Sequence, residues 1–412
     1  MVFALLAGPA FGQALPVFSP TGPDAAAYGE AQGYPVPYSA RDARTQPYIV
    51  GAFTHQDSFV PFHRVAAPAT ASPLARAARE LSLSYLHRGQ RQTVESYLDR
   101  HPATGLLVLH DATILLERYR YGRRDTDRFL SQSMAKTVTA MLVGIAVAEG
   151  RIRSIDEPAS AYVPEFAGTE LGRTPIRALL HMASGLAFTE TYDGTDDSAR
   201  MSRELWRHNG PGTARVLTQF DNRLTEPDTR WHYAGRDTAA LGLVLARATG
   251  RTLADLLSER IWRSIGAEAE ATWSVDESGQ EAAFCCLSAV LRDWGRLGLL
   301  LARDGEWDGR QVIPAEWVRA ATTAAPAGNF LAPGAVSRLY GYGFQTWILP
   351  PGNGAAPRRQ FALLGIHGQT ILVDAASRLV LVHTAVRVQA SGDPAAGELM
   401  SLWRALVAQE GG

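Results

Sequence analysis

Charge of one sign, long apolar runs and cysteine are what this 412-residue sequence has little of. Its 40 basic and 41 acidic residues give a formal net charge of −1. That balance offers no basic surface for nucleic acid or for an anionic membrane. No apolar run inside the chain reaches the ~20 residues that a bilayer span requires. We therefore expect neither a nucleic-acid partner nor a membrane span.

The two cysteines, Cys285 and Cys286, are adjacent in "AFCCLS". Neighbours in sequence rarely meet the geometry of a disulfide, so we expect two buried free thiols. The chain also lacks the CxxC and HxxxH spacings of metal sites, the P-loop, HExxH, a GxGxxG before a helix and the GxSxG elbow of α/β-hydrolases. The sequence thus predicts no metal site and no organic cofactor.

What the chain does contain, 46% hydrophobic and 20% charged residues, is a globular composition. It begins with the apolar segment "MVFALLAGPAFGQALP", in which Gly12-Gln13-Ala14 has the small-x-small pattern of a cleavage site. The basic start of a signal peptide is missing. We nevertheless interpret residues 1–14 as a signal segment and expect a periplasmic or secreted protein. An ordinary N-terminal tail on a cytoplasmic protein is the alternative.

The rest of the chain divides into an arm and one domain. Residues 15–72 are rich in Pro, Gly, Ala and Tyr without sustained periodicity, which predicts an extended N-terminal arm lying over a domain of residues 73–412. Two amphipathic helices are predicted near 73–86 and 92–99. The middle, roughly 153–325, has the pattern of helices and loops.

Strand patterns occur on both sides of that middle segment. "GLLVLHDATILLERYRYG" (Gly105–Gly122) and "QTILVDAASRLVLVHTAV" (Gln369–Val386) predict two hairpins, and "AGELMSLWRALVAQ" predicts a C-terminal helix. Strands at both ends around a helical middle predict an α/β (α+β) fold. In it an antiparallel sheet is flanked by N- and C-terminal helices and interrupted by an inserted α-helical domain.

The stretch "SQSMAK" carries the main chemical signal. Ser133 and Lys136 are spaced i and i+3, so on a helix they share one face. The helix is predicted to start near residues 131–133 and to stop at Gly150. The apolar run after Lys136 predicts burial, which lowers a lysine pKa and produces a neutral amine able to act as a base. A serine N-cap with a lysine extending to the surface is the alternative.

Three stretches together resemble the serine β-lactamase-like, penicillin-recognising hydrolases: "SQSMAKTVTAMLVGIAVAEGRIRSIDEPASAYVPEF", "IRALLHMASGLAF" and "EPDTRWHYAGRDTAALGLVLARATG". Their order and spacing are similar to that superfamily over roughly residues 85–405. "HMASGL", "TYDG", "LRDWGRLGLLL" and "GIHGQTILVD" narrow the resemblance to the 6-aminohexanoate-dimer hydrolase branch, near class C β-lactamases and family VIII carboxylesterases. The resemblance implies a β-lactamase/transpeptidase-like fold.

The resemblance implies a role for each matching residue. Ser133 is the nucleophile, Lys136 its activating partner, and Tyr233 in "HYAG" the phenol that shuttles a proton. Penicillin-recognising enzymes carry Tyr-x-Asn at this second motif, whereas this chain has Gly235 in place of the asparagine. The change puts β-lactam turnover in doubt.

The third motif departs further. Where those enzymes have Lys-Thr-Gly, this chain has Ile366, His367 and Gly368, so the cation that holds a β-lactam carboxylate is absent. The resemblance implies that the backbone N–H groups of Ser133 and Gln369 form the oxyanion hole. We expect His367 to be either a substrate contact or a packed strand residue.

Two aromatic residues are further candidates for the pocket. Tyr192 in "ETYDG" matches a pocket tyrosine of the branch, with a packed loop tyrosine as the alternative. Trp347 ends "GYGFQTW", a predicted strand beside the site, and is expected to form a pocket wall. Asp193, Asp196 and Asp197 follow Tyr192 as an acidic loop that either meets a substrate amine or is simply solvated.

These observations and the resemblance together predict a serine hydrolase that cleaves a small linear amide or ester through an acyl-enzyme. The expected partner is the small-molecule substrate, no cofactor is needed, and the oligomeric state stays open. A β-lactamase or D,D-peptidase is the alternative enzyme. A catalytically silent binding protein on the same fold is the alternative from another class.

Overall fold

The computed structural model describes residues 14–350 and 358–411. Residues 1–13, most of the predicted signal segment, lie outside the described residues, so export stays a prediction. Within the two described ranges, no helix combines the length and the apolarity that a bilayer crossing requires.

The described strands form one large sheet and three small ones. The large sheet has the order β1-β7-β6-β17-β16-β15-β14-β13, with β3 also on β7, and it is antiparallel except where β1 and β3 meet β7. A second sheet has the order β2-β9-β10-β8, and β4–β5 and β11–β12 are separate hairpins. The strands are β1 (Val17–Phe18), β2 (Phe62–Val65), β3 (Ala75–Arg76), β4 (Ser84–His87), β5 (Gln90–Thr93), β6 (Ala103–His110), β7 (Thr113–Tyr119), β8 (Phe129–Leu130), β9 (Ala271–Ser274), β10 (Leu287–Ala289), β11 (Glu306–Trp307), β12 (Arg310–Gln311), β13 (Gly341–Tyr342), β14 (Trp347–Ile348), β15 (Gln360–Gly365), β16 (Gln369–Asp374) and β17 (Leu379–Ala385).

The helices lie before, between and after these strands. Those of the described residues are α1 (Gln46–Ala52), α2 (Val94–Leu98), α3 (Ala135–Ala148), α4 (Glu170–Arg173), α5 (Ile176–Leu180), α6 (Asp197–Leu205), α7 (Thr213–Leu217), α8 (Gly235–Thr249), α9 (Leu253–Leu256), α10 (Leu291–Ala302), α11 (Ala315–Thr322) and α12 (Ala395–Glu410). The helices α4 to α11 lie in or near the segment predicted as the helical insertion. That segment also contributes β9 to β12.

Successive side chains of the central strands point to opposite faces of the sheet, and both faces are buried. On β6, Leu107 and Leu109 belong to the larger core cluster, while Leu106 and Val108 belong to the smaller one. Helix α10 packs on the first face, where a Cβ added at Gly295 would lie 2.7 Å from Leu109. Helix α12 packs on the second face through residues of the smaller cluster. The sheet is thus held between one internal and one terminal helix.

Both predicted hairpins and the C-terminal helix are confirmed as β6–β7, β16–β17 and α12. The helix predicted near 73–86 is wrong. The backbone N–H groups of Ala75 and Ala77 donate to the carbonyls of Ala112 and Ile114 along the edge of β7. These pairings satisfy the backbone of the segment, and they outweigh its local helix propensity.

The other local differences arise at tight turns. The stretch "GYGFQTW", predicted as one strand, is the hairpin β13–β14, with Gln345 at φ 52°. The expectation of free thiols is also wrong, because the structure joins Cys285 and Cys286 in a disulfide between sequence neighbours. Both cysteines are buried, and Cys286 has a φ of 71°. The chain therefore turns sharply where the sequence alone suggested a plain core segment.

Candidate active site

Ser133 lies where the turn Gln132–Met134 leads into α3. Its neighbours Gln132 and Met134 are buried, whereas Ser133 itself is partly exposed. A backbone N–H in the first turn of a helix has no partner inside that helix, so the amide of Ser133 is available to a ligand. Gln132 has a φ of 45°, a conformation that non-glycine residues seldom adopt outside tight or functional segments. Of these three residues, only Ser133 is therefore accessible to a ligand.

Lys136 is the only lysine in the chain. Its side chain is buried, and Nζ donates to Ser133 Oγ at 3.0 Å and to the carbonyl oxygen of Phe284 at 2.9 Å. Burial lowers the pKa of Lys136 to about 8, while the negative charge of Glu190 acts in the opposite direction. A substantial fraction of this amine is therefore neutral near physiological pH.

Tyr233 lies just before α8 and contacts the same serine. Burial raises the pKa of its phenol above the usual value, the charge of Glu190 raises it further, and a hydrogen bond with Ser133 acts in the opposite direction. Lys136 Nζ lies 5.1 Å from the centre of the tyrosine ring. The phenol is therefore protonated at neutral pH, and it lines the same cavity as the serine.

Glu190 is a site residue that the sequence analysis missed. Its carboxylate accepts the Gly235 backbone N–H at 2.5 Å and the Tyr192 hydroxyl at 2.8 Å, and it lines the same cavity as Ser133. A Cβ added at Gly235 would lie 3.2 Å from Glu190 Oε2. Glycine at the place of the motif's asparagine therefore leaves room for this carboxylate. No spacing rule links residues 190 and 235, so the sequence carried no signal for the pair.

Tyr192 lines the cavity, whereas the acidic residues after it hold their own loop. Burial raises the pKa of Tyr192, Glu190 raises it further, and the cation of Arg44 acts in the opposite direction. Asp196 accepts backbone N–H groups of Tyr192 and Ala199, and so caps α6. Asp193 accepts the backbone N–H of residue 195 and Asp197 that of residue 189. These contacts favour loop organisation over recognition of a substrate amine.

The third motif forms a tight turn between β15 and β16. Ile366 and Gly368 line the cavity. His367 points elsewhere: its Nδ1 bonds to the carbonyl oxygen of Arg387 at 2.7 Å, and its ring packs edge-on against Phe53. Burial lowers the pKa of His367, so the ring is neutral. The geometry favours the packed-residue alternative for His367.

The two proposed oxyanion-hole segments meet at Gly365. A Cβ added there would lie 2.5 Å from the carbonyl oxygen of Ser131 and 3.0 Å from Cβ of Gln369. The absence of a side chain thus lets the start of β16 approach the turn that carries Ser133. The Gln369 amide side chain donates to the carbonyl oxygen of Ala385 at 2.6 Å, which anchors that strand start.

Aromatic side chains form one wall of the cavity. Trp347 stacks on Tyr233 with ring centres 5.6 Å apart, and Tyr340 and Tyr342 pack edge-on against it. The cavity holds about 360 Å³, within the range of small-molecule sites. Among the described residues, no cluster of His, Cys, Asp or Glu has an arrangement suited to a metal ion.

Known proteins resemble this chain over most of its length. A family model described as Beta-lactamase matches residues 91–400. The 6-aminohexanoate-dimer hydrolase of Paenarthrobacter ureafaciens is 27% identical over 369 residues, covering 88% of this chain and 91% of that protein.

Solved structures show the same architecture. A Bacillus anthracis protein assigned as a 6-aminohexanoate-dimer hydrolase superimposes with a TM-score of 0.78 at 23% identity, covering 89% of this chain and 94% of its own. EstCE1, a hydrolase with promiscuous acyltransferase activity, gives a TM-score of 0.60 at 14% identity, covering 74% of this chain and 94% of its own. The predicted β-lactamase/transpeptidase-like fold is confirmed.

Proposed function

Because the chain belongs to the β-lactamase family, we propose that it is a serine hydrolase that cleaves a small linear amide or ester through an acyl-enzyme on Ser133. One similar protein is a 6-aminohexanoate-dimer hydrolase, which supports a linear amide. EstCE1, a hydrolase with promiscuous acyltransferase activity, shares only the fold with this chain. An ester is proposed as well, because the same acyl-enzyme chemistry expels an alcohol more easily than an amine. The observation that carries the proposal is the 3.0 Å contact between Ser133 Oγ and a buried lysine whose pKa is lowered to about 8.

Acylation starts at the serine. Ser133 Oγ attacks the substrate carbonyl carbon while its proton passes to the neutral amine of Lys136. The carbonyl oxygen becomes an oxyanion, for which the N–H groups of Ser133 and Gln369 are the proposed donors, each lowering the barrier by ~3 kcal/mol. The proton then moves by way of Tyr233 to the leaving nitrogen or oxygen. The C–N or C–O bond breaks, and the amine or alcohol departs.

Deacylation repeats the sequence with water. A water molecule attacks the acyl-ester carbon and gives its proton to the Lys136–Tyr233 pair, which returns it to Ser133 Oγ as the ester bond breaks. The product is a carboxylic acid, and the enzyme regains its starting protonation. Glu190 is a positioning residue in this scheme, because it fixes Tyr192 and Gly235 and acts on Lys136 through its charge.

The cavity favours a linear substrate over a β-lactam. Ile366 presents an apolar side chain where a lysine would meet the β-lactam carboxylate, and Trp347 and Leu364 add apolar surface. Glu190 stands beside Gly235, where an asparagine would donate to the β-lactam side chain. An acceptor has replaced a donor at that place. An amide or ester with a hydrocarbon chain fits this lining.

The test is active-site labelling. A fluorophosphonate probe forms a covalent bond only with an activated serine, so we expect a single modified peptide that contains Ser133, found by mass spectrometry. Ser133→Ala is expected to abolish the label, and Ser131→Ala to keep it. Label that survives in Ser133→Ala would contradict the assignment. The absence of any label in the wild type would favour the catalytically silent alternative.

A further inference from the structure

Arg387 is a buried cation that the scheme above does not use. Arg387 is only 5% exposed, yet it lines the same cavity as Ser133 and Gly368. It lies two residues after the end of β17, and its backbone carbonyl receives the hydrogen bond of His367. No sequence motif points to it. A charged side chain this deeply buried calls for a partner.

The partner is not found in the described parts of the chain. Within residues 14–350 and 358–411, Arg387 Nε has no hydrogen bond, and the one side-chain contact is a long bond of 3.3 Å from Nη2 to the neutral hydroxyl of Tyr97. Arg236 and Arg296, equally buried, each pair with a carboxylate at 2.7–2.8 Å. The difference sets Arg387 apart from the buried arginines that serve the core.

Two carboxylates whose charges act on the neighbouring Tyr97 are already engaged. Glu398 pairs with Arg100 and with His101. Asp393 lines the same cavity, but it accepts the backbone N–H of Ala395 at the start of α12 and lies beyond ion-pair distance from Arg387. Among residues 14–350 and 358–411, this guanidinium therefore has no carboxylate of its own.

The position of Arg387 relates it to the reacting centre. A Cβ added at Gly368 would lie 2.9 Å from Arg387 Nε and 3.0 Å from its Cδ. The next residue, Gln369, carries one of the two proposed oxyanion-hole amides, and consecutive Cα atoms are about 3.8 Å apart. The guanidinium thus lies beside the residue that precedes the Gln369 amide, close to where the scissile carbonyl is proposed to bind. Ile366, Leu364 and Leu399 line the same cavity with apolar surface.

We propose that Arg387 binds a carboxylate on the substrate, so that the enzyme prefers linear amides and esters that carry a free carboxylate a few carbons from the scissile bond. The inference rests on the proposed hydrolase function and specifies its substrate class. Guanidinium and carboxylate form charge-assisted hydrogen bonds, which are stronger than neutral ones in a cavity shielded from water. A hydrocarbon chain spans the apolar lining between the two ends.

The test compares two esters that differ in charge. Kcat/KM is measured for p-nitrophenyl butyrate, which is neutral, and for mono-p-nitrophenyl glutarate, which is anionic and has a similar chain. The quantity of interest is the glutarate-to-butyrate ratio. We expect the wild type to favour glutarate and Arg387→Met to lower the ratio by about one to two decades, as the loss of a charged hydrogen bond implies. Arg387→Lys is expected to restore part of it.

Arg44→Met is the matched control, because Arg44 is a second arginine whose charge acts on the pocket residue Tyr192. Its ratio is expected to stay at the wild-type value. Succinate and adipate monoesters measure the reach of the site. Should Arg387→Met fail to fold, competitive inhibition of the wild type by glutarate against glutaramide, repeated in Arg44→Met, replaces the variant.

The outcomes separate the two proposals. An equal loss for both esters in Arg387→Met, an unchanged ratio, or a ratio that falls in Arg44→Met instead would overturn the carboxylate assignment. Glutarate inhibiting no better than glutaramide would do the same. If the wild type hydrolyses neither ester and Ser133 takes no fluorophosphonate, the hydrolase function itself fails.

Discussion

The two sides of the cavity are built in different ways. On one side, Ser133 and Lys136 come from a single helical segment, and Tyr233 comes from the residues just before a neighbouring helix. On the other side, Tyr192, Trp347, Gly368 and Arg387 come from a loop, a hairpin, a turn and the end of a strand, and the arm packs behind them. One side is local in sequence, whereas the other is assembled from distant parts.

We therefore expect the helical side to carry out the reaction and the assembled side to determine which substrates react. The helical side holds the proposed nucleophile, base and proton shuttle in contact, so its loss should affect every substrate equally. The assembled side carries no group required for bond cleavage, apart from the Gln369 amide. Changes there should alter the relative rates of substrates.

The largest expected effect comes from removing the hydroxyl of Ser133, the proposed nucleophile. We expect Ser133→Ala to lower kcat/KM by about 10⁴-fold or more for every substrate, because no other group replaces the attacking oxygen. The folding temperature should change little, since the serine is partly exposed. Steady-state kinetics on p-nitrophenyl butyrate and a melting curve measure both quantities.

Ser131→Ala is the matched control. Ser131 Oγ is buried and accepts the backbone N–H of Leu287 at 3.1 Å. Its loss leaves a buried donor unpaired and should cost about 1–3 kcal/mol of stability with catalysis retained. Activity lost in Ser131→Ala and kept in Ser133→Ala would reverse the assignment.

The next largest effect concerns the base. We expect Lys136→Arg to lose about 10²- to 10⁴-fold in kcat/KM, because a guanidinium stays protonated and cannot accept the serine proton. Lys136→Met should be as inactive. The measurement is kcat/KM for the neutral and the anionic ester, with circular dichroism to verify folding. Turnover at the wild-type level in Lys136→Arg would exclude the lysine as a base.

On the assembled side we expect a change of preference. Nitrocefin should be a poor substrate next to p-nitrophenyl butyrate, because Ile366 replaces the lysine of the third motif and the Glu190 carboxylate stands where the asparagine of the second motif would donate. Ile366→Lys should raise nitrocefin turnover relative to the ester by about one to two decades. Ile366→Met controls for the change of shape. Wild-type nitrocefin turnover tenfold faster than that of the ester would place the protein among the β-lactamases instead.

The smallest expected effect links the two sides through Glu190. Its negative charge favours the ammonium form of Lys136. Glu190→Gln should therefore move the rising limb of the pH–rate profile below about 8, with less than about a tenfold change in rate at neutral pH. Glu204→Gln, which removes a surface carboxylate paired with Arg207, is the control and should leave the limb in place. A shift toward higher pH in Glu190→Gln would contradict the assigned direction.

The comparison also shows what the sequence could predict. The hairpins β6–β7 and β16–β17 and the helix α3 follow from local periodicity, and the contact of Ser133 with Lys136 follows from their spacing on one helix. These features depend on residues close in sequence.

The remaining features depend on pairs that no spacing rule connects. Glu190 reaches Gly235 across 45 positions, and Arg387 reaches Gly368 only through the register of β16 and β17. The segment near 73–86 is not a helix, and its residues Ala75–Arg76 form the strand β3 on the edge of β7. These contacts depend on long-range packing, which cannot be predicted from local sequence patterns.

The proposed mechanism depends on the protonation state of Lys136, and this chain allows a direct measurement of that state. Because Lys136 is the only lysine, protein labelled with [ε-¹³C]lysine gives a single lysine side-chain resonance whose shift reports its protonation. We expect the folded enzyme to titrate with a midpoint at about 8, and the same protein unfolded in urea to titrate near ~10.4. The rise of kcat/KM with pH should share the folded midpoint. A folded midpoint at or above ~10.4 would mean that the lysine is a permanent cation, and it would contradict its role as the base.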